Sequence, residues 1–382
     1  MKKCILRLSC LLLFFTLCSP LFILSEGRAE WIAAEWKAVK KTLDCDGYIV
    51  NIDAVTNIAI PTECNEWTVE AYLYSEDEVR RLLAVGSPGD ETIKKLKAPP
   101  GDRRAVSLFN DERKIHARSE LGILGFAHYE NSNFYSKAMT KARSTGYYFR
   151  CHEQEQLSVP ILARFDYQTA LSRIEPVFRH LNYVVGEPSY VDAWNVETLM
   201  EKSKEWLEQF PDQLVKLDWT EDDEMYYLEI PVYYQGIRLH RGDRDVCRGL
   251  RVCDAGIRCE ISPERILEFR ATDCFFQNEK ARSAPQPILP LDEAIERYGQ
   301  HLSSMIWDST EPIVVDKILL EWLVLTDTTR KSHSYQMIPV WCFYYKEYYK
   351  EDNIKFRYFW YHTDYIHAIT GEYIPHTFGQ GE

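Results

Sequence analysis

The chain has 382 residues, 46% of them hydrophobic and 13% aromatic, and carries a formal net charge of −13. That apolar and aromatic content excludes a disordered chain, and the acidic balance excludes a surface built to capture nucleic acid or anionic lipid. The 11 cysteines take their meaning from the redox compartment, which the N-terminus indicates.

Lys2, Lys3 and Arg7 precede an apolar run from Leu11 to Leu24, and Gly27-Arg28-Ala29 places small residues where a signal peptidase reads. The expectation is an export signal over residues 1–29, cut after Ala29. The alternative is an uncleaved anchor that starts near Ile5 and lets Arg7 snorkel. Cys18 follows Leu17 rather than the small residue of a lipoprotein box, so secretion or surface retention ranks above lipid anchoring. Losing Lys2, Lys3, Arg7 and Arg28 together with Glu26 leaves a charge of −16. About 350 residues then remain, enough for two or three domains with cores of their own.

Cys45, Cys64, Cys151, Cys247, Cys253, Cys259, Cys274 and Cys342 stay with the mature chain. An even count in an exported protein permits disulfides, and Cys45 and Cys64, which bracket one strand, make the best pair. Cys247, Cys253 and Cys259 are each separated by five residues. Zinc clusters use closer Cys-x-x-Cys pairs, so disulfides or buried thiols are preferred there to a metal.

The first region, 30–105, opens with a helix pattern over Trp31–Lys41, followed by strands over Tyr48–Ile60 and Trp67–Tyr74. Ser75-Glu76-Asp77-Glu78 is a capping box, and the helix it starts should stop at Gly86. Ser87-Pro88-Gly89 and Pro99-Pro100-Gly101 then mark a linker. In the second region, 106–283, Ile123–His128 reads as a strand. Tyr167, Ala170, Leu171, Ile174, Val177, Phe178 and Leu181 form a helical stripe with Asp166 as N-cap and Pro176 off the buried side. A helix over 195–209, strands near 214–219, 224–234 and 237–240, and a Gln235-Gly236 turn follow.

The third region, 284–382, begins at Ala284-Pro285-Gln286-Pro287. Leu291, Ala294, Ile295, Tyr298, Leu302 and Met305 recur at helical spacing, and strands are predicted over 313–325, 335–345 and 354–363. Thr370-Gly371-Glu372 supplies a closing turn. The two helical stripes, each followed by strands, suggest a duplicated helix-plus-sheet unit. The expected fold class is therefore α+β, with antiparallel sheets each packed by an amphipathic helix.

The helix-strand-strand-strand order, with Pro339-Val340-Trp341 in the middle strand and His367-Ala368-Ile369-Thr370-Gly371-Glu372 at the end, resembles the PepSY-like domain. More broadly it is similar to the extracytoplasmic YycH and YycI proteins, which modulate a sensor kinase. The chain also resembles an uncharacterised group of exported, lipoprotein-like proteins of gut Firmicutes. The resemblance implies PepSY-like units after an N-terminal α+β region, and an accessory role toward a cell-envelope partner. His367 stands where the PepSY ending usually has an acidic residue.

No serine-hydrolase elbow, zinc-protease helix, phosphate loop or dinucleotide fingerprint occurs. No catalytic residue, metal ligand or cofactor is predicted. The histidines are scattered, and Glu221-Asp222-Asp223-Glu224 reads as a solvated acidic turn. Arg238, Arg241, Arg244, Arg248, Arg251 and Arg258 form a basic island whose plain reading is charge balance for nearby acids. The C-terminal aromatics are the remaining feature: Trp341, Tyr358 and Trp360 form a candidate binding face, or else core. The functional expectation is a non-catalytic accessory protein outside the membrane with a protein or peptide partner. A glycan- or peptide-binding protein is the alternative, and an unsigned hydrolase comes last.

N-terminal sequencing of the secreted product should begin at Glu30. A product that keeps Met1 and stays with the membrane would mean an anchor.

Overall fold

The computed structural model describes residues 36–57, 60–86, 94–96, 106–110, 115–120, 122–128, 162–181, 185–209, 218–241, 245–247, 249–305, 312–327, 334–349 and 358–378. Strand Ile313–Thr326 organises them. Along one edge it pairs antiparallel with Ser334–Tyr349. Along the other it meets three partners in turn: Tyr48–Asn57 in parallel, Ile237–Leu239 in parallel, and Leu250–Val252 antiparallel. The result is a mixed sheet of 13 strands, which also takes in Trp67–Ala71, Phe276–Ala281 and Tyr358–His367.

From Ile318 to Leu325 every residue of the central strand is buried, as a strand covered on both faces requires. Alternation divides them. Ile318, Leu320, Trp322 and Val324 enter the main core, whereas Leu319, Leu323 and Leu325 enter a second apolar cluster with Ile338, Val340, Cys342, Tyr344 and Tyr365.

An eight-stranded sheet runs from Lys94–Leu96 through Ile123–His128, Ile266–Thr272, Gly256–Ile261 and Met225–Ile230 to Tyr190–Trp194. Helix Tyr167–Leu181 buries the predicted stripe of Ala170, Ile174, Val177 and Phe178, with the Phe178 ring 6.3 Å from Phe269. Its N-cap is the predicted one, since Asp166 accepts the Thr169 N–H at 2.7 Å, and Pro176 lies on the exposed side. The capping box also forms: Ser75 N–H donates to Glu78 at 2.7 Å and Glu78 N–H to Ser75 Oγ at 3.3 Å. The two sheets share one continuous core, to which Phe126, Ile257 and Phe269 come from one and Val50, Leu320 and Trp322 from the other.

Two expectations are corrected. Residues 36–41 of the stretch read as a helix are strand, part of the Trp36–Cys45 and Tyr48–Asn57 hairpin paired over ten residues each. Its turn is Asp46-Gly47, with φ of 55° and 92°, the mirror-image geometry that suits the right-handed twist of a two-residue hairpin. That Asp-Gly signal outweighs the weak helical spacing before it.

The α+β class with two PepSY-like units is also overturned, because the described chain is mostly β, with four α-helices. The strands that follow the first helical stripe divide between both sheets, and those that follow the second join the N-terminal hairpin in one sheet. The helical stripes were legible from their own period, but pairing partners lie far apart in sequence and local patterns do not encode them. Strand pairing also crosses the expected boundaries: Lys94–Leu96 pairs with Val106–Asn110, and Trp67–Ala71 with both Phe276–Ala281 and Ser334–Tyr349.

Gly125 illustrates how closely the eight-stranded sheet is packed, since a Cβ there would meet the Phe269 carbonyl oxygen at 2.3 Å. Gly125→Ala should destabilise the fold by about 1–3 kcal/mol through backbone displacement. A thermal melt should show this as a lower Tm.

Candidate functional site

Glu321 lies in the middle of the central strand with 0% exposure, on the face of the second apolar cluster. A carboxylate placed there must be paired. Parallel pairing sets Arg238 directly opposite it, with Arg238 Nε 3.2 Å from Glu321 Oε1. The same short strand delivers His240, whose backbone N–H donates to the Trp322 carbonyl at 2.9 Å and whose Nδ1 lies 2.7 Å from Glu321 Oε2. The Tyr344 hydroxyl donates to that same oxygen at 2.5 Å.

Three groups face His240 Nδ1: Glu321 Oε2, the Tyr344 hydroxyl at 3.1 Å and Cys342 Sγ at 3.6 Å. On the other side of the ring, the Tyr365 hydroxyl is 3.1 Å from Nε2. A neutral imidazole satisfies these contacts by donating from Nδ1 to Glu321 and accepting from Tyr365 at Nε2.

Burial pushes the Glu321 carboxyl up, but the Arg238 guanidinium and the His240 and Tyr344 hydrogen bonds outweigh it and hold the group at about 2. Burial, and then the Glu321 charge, push the Cys342 thiol and the Tyr344 phenol well above their ordinary values. Glu321 is thus an anion, while Cys342 and Tyr344 keep their protons. His240 Nδ1, a Glu321 oxygen and Cys342 Sγ lie within 4.8 Å of one another and are the residues that could hold a metal ion. With His240 at 1% and Glu321 and Cys342 at 0% exposure, the group is sealed from solvent and offers no place for a substrate.

Within the basic island, Arg238, Arg241 and Arg258 form ion pairs, and Arg244 and Arg248 lie outside the described residues. Arg241 lies 2.5 Å from Glu229 and 3.3 Å from Asp254, and Arg258 lies 2.5 Å from Asp254. The Tyr227 hydroxyl donates to the remaining Glu229 oxygen at 2.6 Å. Burial pushes the Asp254 carboxyl up, but Arg241 and Arg258 together bring it below its ordinary value of 3.8.

Of the two readings for Trp341, binding face or core, the structure gives core: it is 0% exposed and its indole N–H donates to the Leu289 carbonyl at 2.9 Å. Strand alternation turns it toward helix Leu291–Ser303 and the main core. Tyr358 and Trp360 stand in strand Tyr358–His367, opposite Tyr349 and Glu347. Their side chains lie outside the described residues, as do Ala29 and the expected cleavage site. Cys45 and Cys64 are free, buried thiols, and burial pushes Cys64 up to about 12. Cys247 lies in the second apolar cluster and Cys253 and Cys259 in the main core, all three as buried thiols.

His367 caps the closing turn. Its Nδ1 accepts the Ile369 and Thr370 N–H groups at 3.2 and 3.4 Å, which leaves Nε2–H to donate to Glu66 at 3.2 Å. Glu221–Asp223 form a short 3₁₀ turn with Glu221 and Asp222 exposed. Glu224 is buried and accepts from the Ala163 N–H at 2.7 Å. Sequence reasoning missed the His240–Glu321–Cys342 group. The one available signal was a lone carboxylate inside Ile318-Leu319-Leu320-Glu321-Trp322-Leu323-Val324-Leu325, since a charge in so apolar a run needs a buried partner.

No family model and no curated protein matches the chain. Among solved structures, it is similar to the crystal structure of an uncharacterized protein from Eubacterium rectale. The TM-score is 0.55 and the identity 14%, over 85% of this chain and 90% of that one. At that identity the likeness shows a shared fold, and it brings no PepSY assignment with it.

Glu321→Gln should cost about 3–5 kcal/mol in urea unfolding, because Arg238 loses its buried counter-charge. Asp254 has a depressed native pKa, so its contribution is present above the unfolded value and is lost as pH falls through the native one. Asp254→Asn should therefore be less stable than wild type at neutral pH, with the gap closing as the pH drops below 3.8 in parallel unfolding titrations.

Proposed function

We propose that this chain is an exported, non-catalytic protein that acts outside the membrane by binding a protein partner of the cell envelope, and that the edge strand Trp36–Cys45 takes that partner. The observation that carries the reading is the edge. Among the described residues this strand has one ladder neighbour, Tyr48–Asn57, so the backbone groups of its other side face outward. Trp36, Val55 and Ile49 share one face of the hairpin and are 44%, 38% and 40% exposed.

An outward edge offers main-chain hydrogen bonds to an extended segment, and an exposed tryptophan beside it offers an anchor. Lys37, Lys40 and Lys41 lie on this strand in an otherwise acidic protein. They repel the same edge of a second copy and favour an acidic segment. Export is supported by Lys2, Lys3 and Arg7, the apolar run after them and the small residues at 27 and 29. A place among the exported, lipoprotein-like proteins of gut Firmicutes belongs to the same reading, and the fold shared with the Eubacterium rectale protein supports it. A non-catalytic role is supported by the interior use of His240, Glu321, Glu229 and Asp254, which bind one another or the nearby arginines.

Selection from a displayed library of extended peptides should return acidic sequences that protect the amides of residues 36–45 from hydrogen exchange. Trp36→Ala should weaken a selected peptide by about 2 kcal/mol, roughly thirtyfold in Kd, with the Tm nearly unchanged because the ring is half exposed. Binding indifferent to Trp36→Ala, or protection confined to other strands, would sink the reading.

A further inference from the structure

We propose that His240, Glu321 and Cys342 form a buried site for one divalent transition-metal ion of the zinc type. The three come from residues far apart in the chain, and the ladder of the central strand brings them to one point. Their donor atoms lie within 4.8 Å of one another. Around His240 Nδ1 stand Glu321 Oε2 at 2.7 Å, the Tyr344 hydroxyl at 3.1 Å and Cys342 Sγ at 3.6 Å. Without an ion, Nδ1 bonds to Glu321, and the Tyr344 hydroxyl donates to that same carboxylate oxygen. A cation among them engages all at once.

The distances suit an ion with little rearrangement. Metal–ligand bonds of about 2.0–2.3 Å in a tetrahedron set the donor atoms roughly 3.3–3.7 Å apart. The sulfur is already at that separation from Nδ1, and the carboxylate oxygen needs to withdraw by about half an ångström to reach it. The surrounding groups match what a metal site requires: ligating imidazoles and carboxylates are usually held from behind by further hydrogen bonds. Here the Tyr365 hydroxyl is 3.1 Å from His240 Nε2, and Arg238 Nε is 3.2 Å from the other Glu321 oxygen. Thiolate with imidazole selects zinc-type ions over magnesium or calcium.

Proton and charge balance are simple. The metal–sulfur bond displaces the Cys342 thiol proton, which leaves to solvent. The imidazole proton is carried on Nε2, where the Tyr365 oxygen accepts it, and Nδ1 gives its lone pair to the ion. Thiolate and carboxylate together neutralise the two positive charges, Arg238 stays on the free carboxylate oxygen, and the Tyr344 hydroxyl oxygen is the fourth donor. No redox step is involved. Because the site is closed to solvent, the ion enters as the chain folds.

The full mature chain, unfolded with chelator and refolded with Co²⁺ or Zn²⁺, tests this. Expected are one metal per chain by elemental analysis after desalting, a thiolate-to-cobalt charge-transfer absorption in the near ultraviolet, and a higher Tm for the zinc-loaded protein. Cys342→Ala and His240→Gln should lose the metal, whereas Cys64→Ala, which removes a remote thiol, should keep it. A refolded wild-type chain with no cobalt–thiolate absorption overturns the proposal even if the Cys342 and His240 variants fail to fold. So does metal retained in a folded Cys342→Ala protein.

Discussion

One carboxylate constrains the centre of this protein. Glu321 occupies the middle of a strand that is buried on both faces, and an anion there is tolerable only if opposite charge and hydrogen-bond donors arrive from neighbouring strands. Arg238 and His240 arrive from one side, and Tyr344 from the other. The requirement is directional, because a one-residue slip in any of these ladders would turn the partner to the opposite face. Register and electrostatics therefore reinforce each other at this point. The short strand Ile237–Leu239 is held both by Ile237 and Leu239, which are buried in the main core, and by the charge it delivers.

The rest of the sheet grows outward from that dry centre. Toward one end the central strand passes to the Trp36–Asn57 hairpin, whose first strand is exposed along most of its length. Toward the other it meets Leu250–Val252 and, through it, Asp245–Cys247 and His376–Phe378. A second charged group, built by Glu229, Arg241, Asp254 and Arg258, ties the chain between the two sheets. Arg238, Arg241 and Arg258, which look like part of a basic surface in the sequence, thus serve as counter-ions within the fold.

The C-terminal aromatics carry the same lesson in apolar form. Trp341 and Phe343 point into the main core, where Phe343 stacks on Tyr298 at 4.2 Å, and Tyr344 points into the second cluster. A strand covered on both faces takes up aromatic residues from both alternation sets, and that is where the rings of Trp341, Phe343 and Tyr344 go. The Eubacterium rectale structure shares this architecture at 14% identity. Many different apolar sets can fill such a core if volume and pattern are kept.

Local chemistry was legible in the sequence. The capping box at Ser75, the N-cap at Asp166, the stripes of helices Tyr167–Leu181 and Leu291–Ser303, and the Gln235-Gly236 turn all follow from interactions within a few residues. The Asp46-Gly47 hairpin was equally local but was obscured by a short, misleading helical spacing. The tertiary structure alone decided which strands pair, that helices and strands do not repeat as two units, and that Trp341 is core. It also decided the meeting of His240, Glu321 and Cys342. Those three are 81 and 102 residues apart, measured from the histidine to each partner. No period or motif spans such a separation, because the sheet that joins them is specified by the packing of the whole chain.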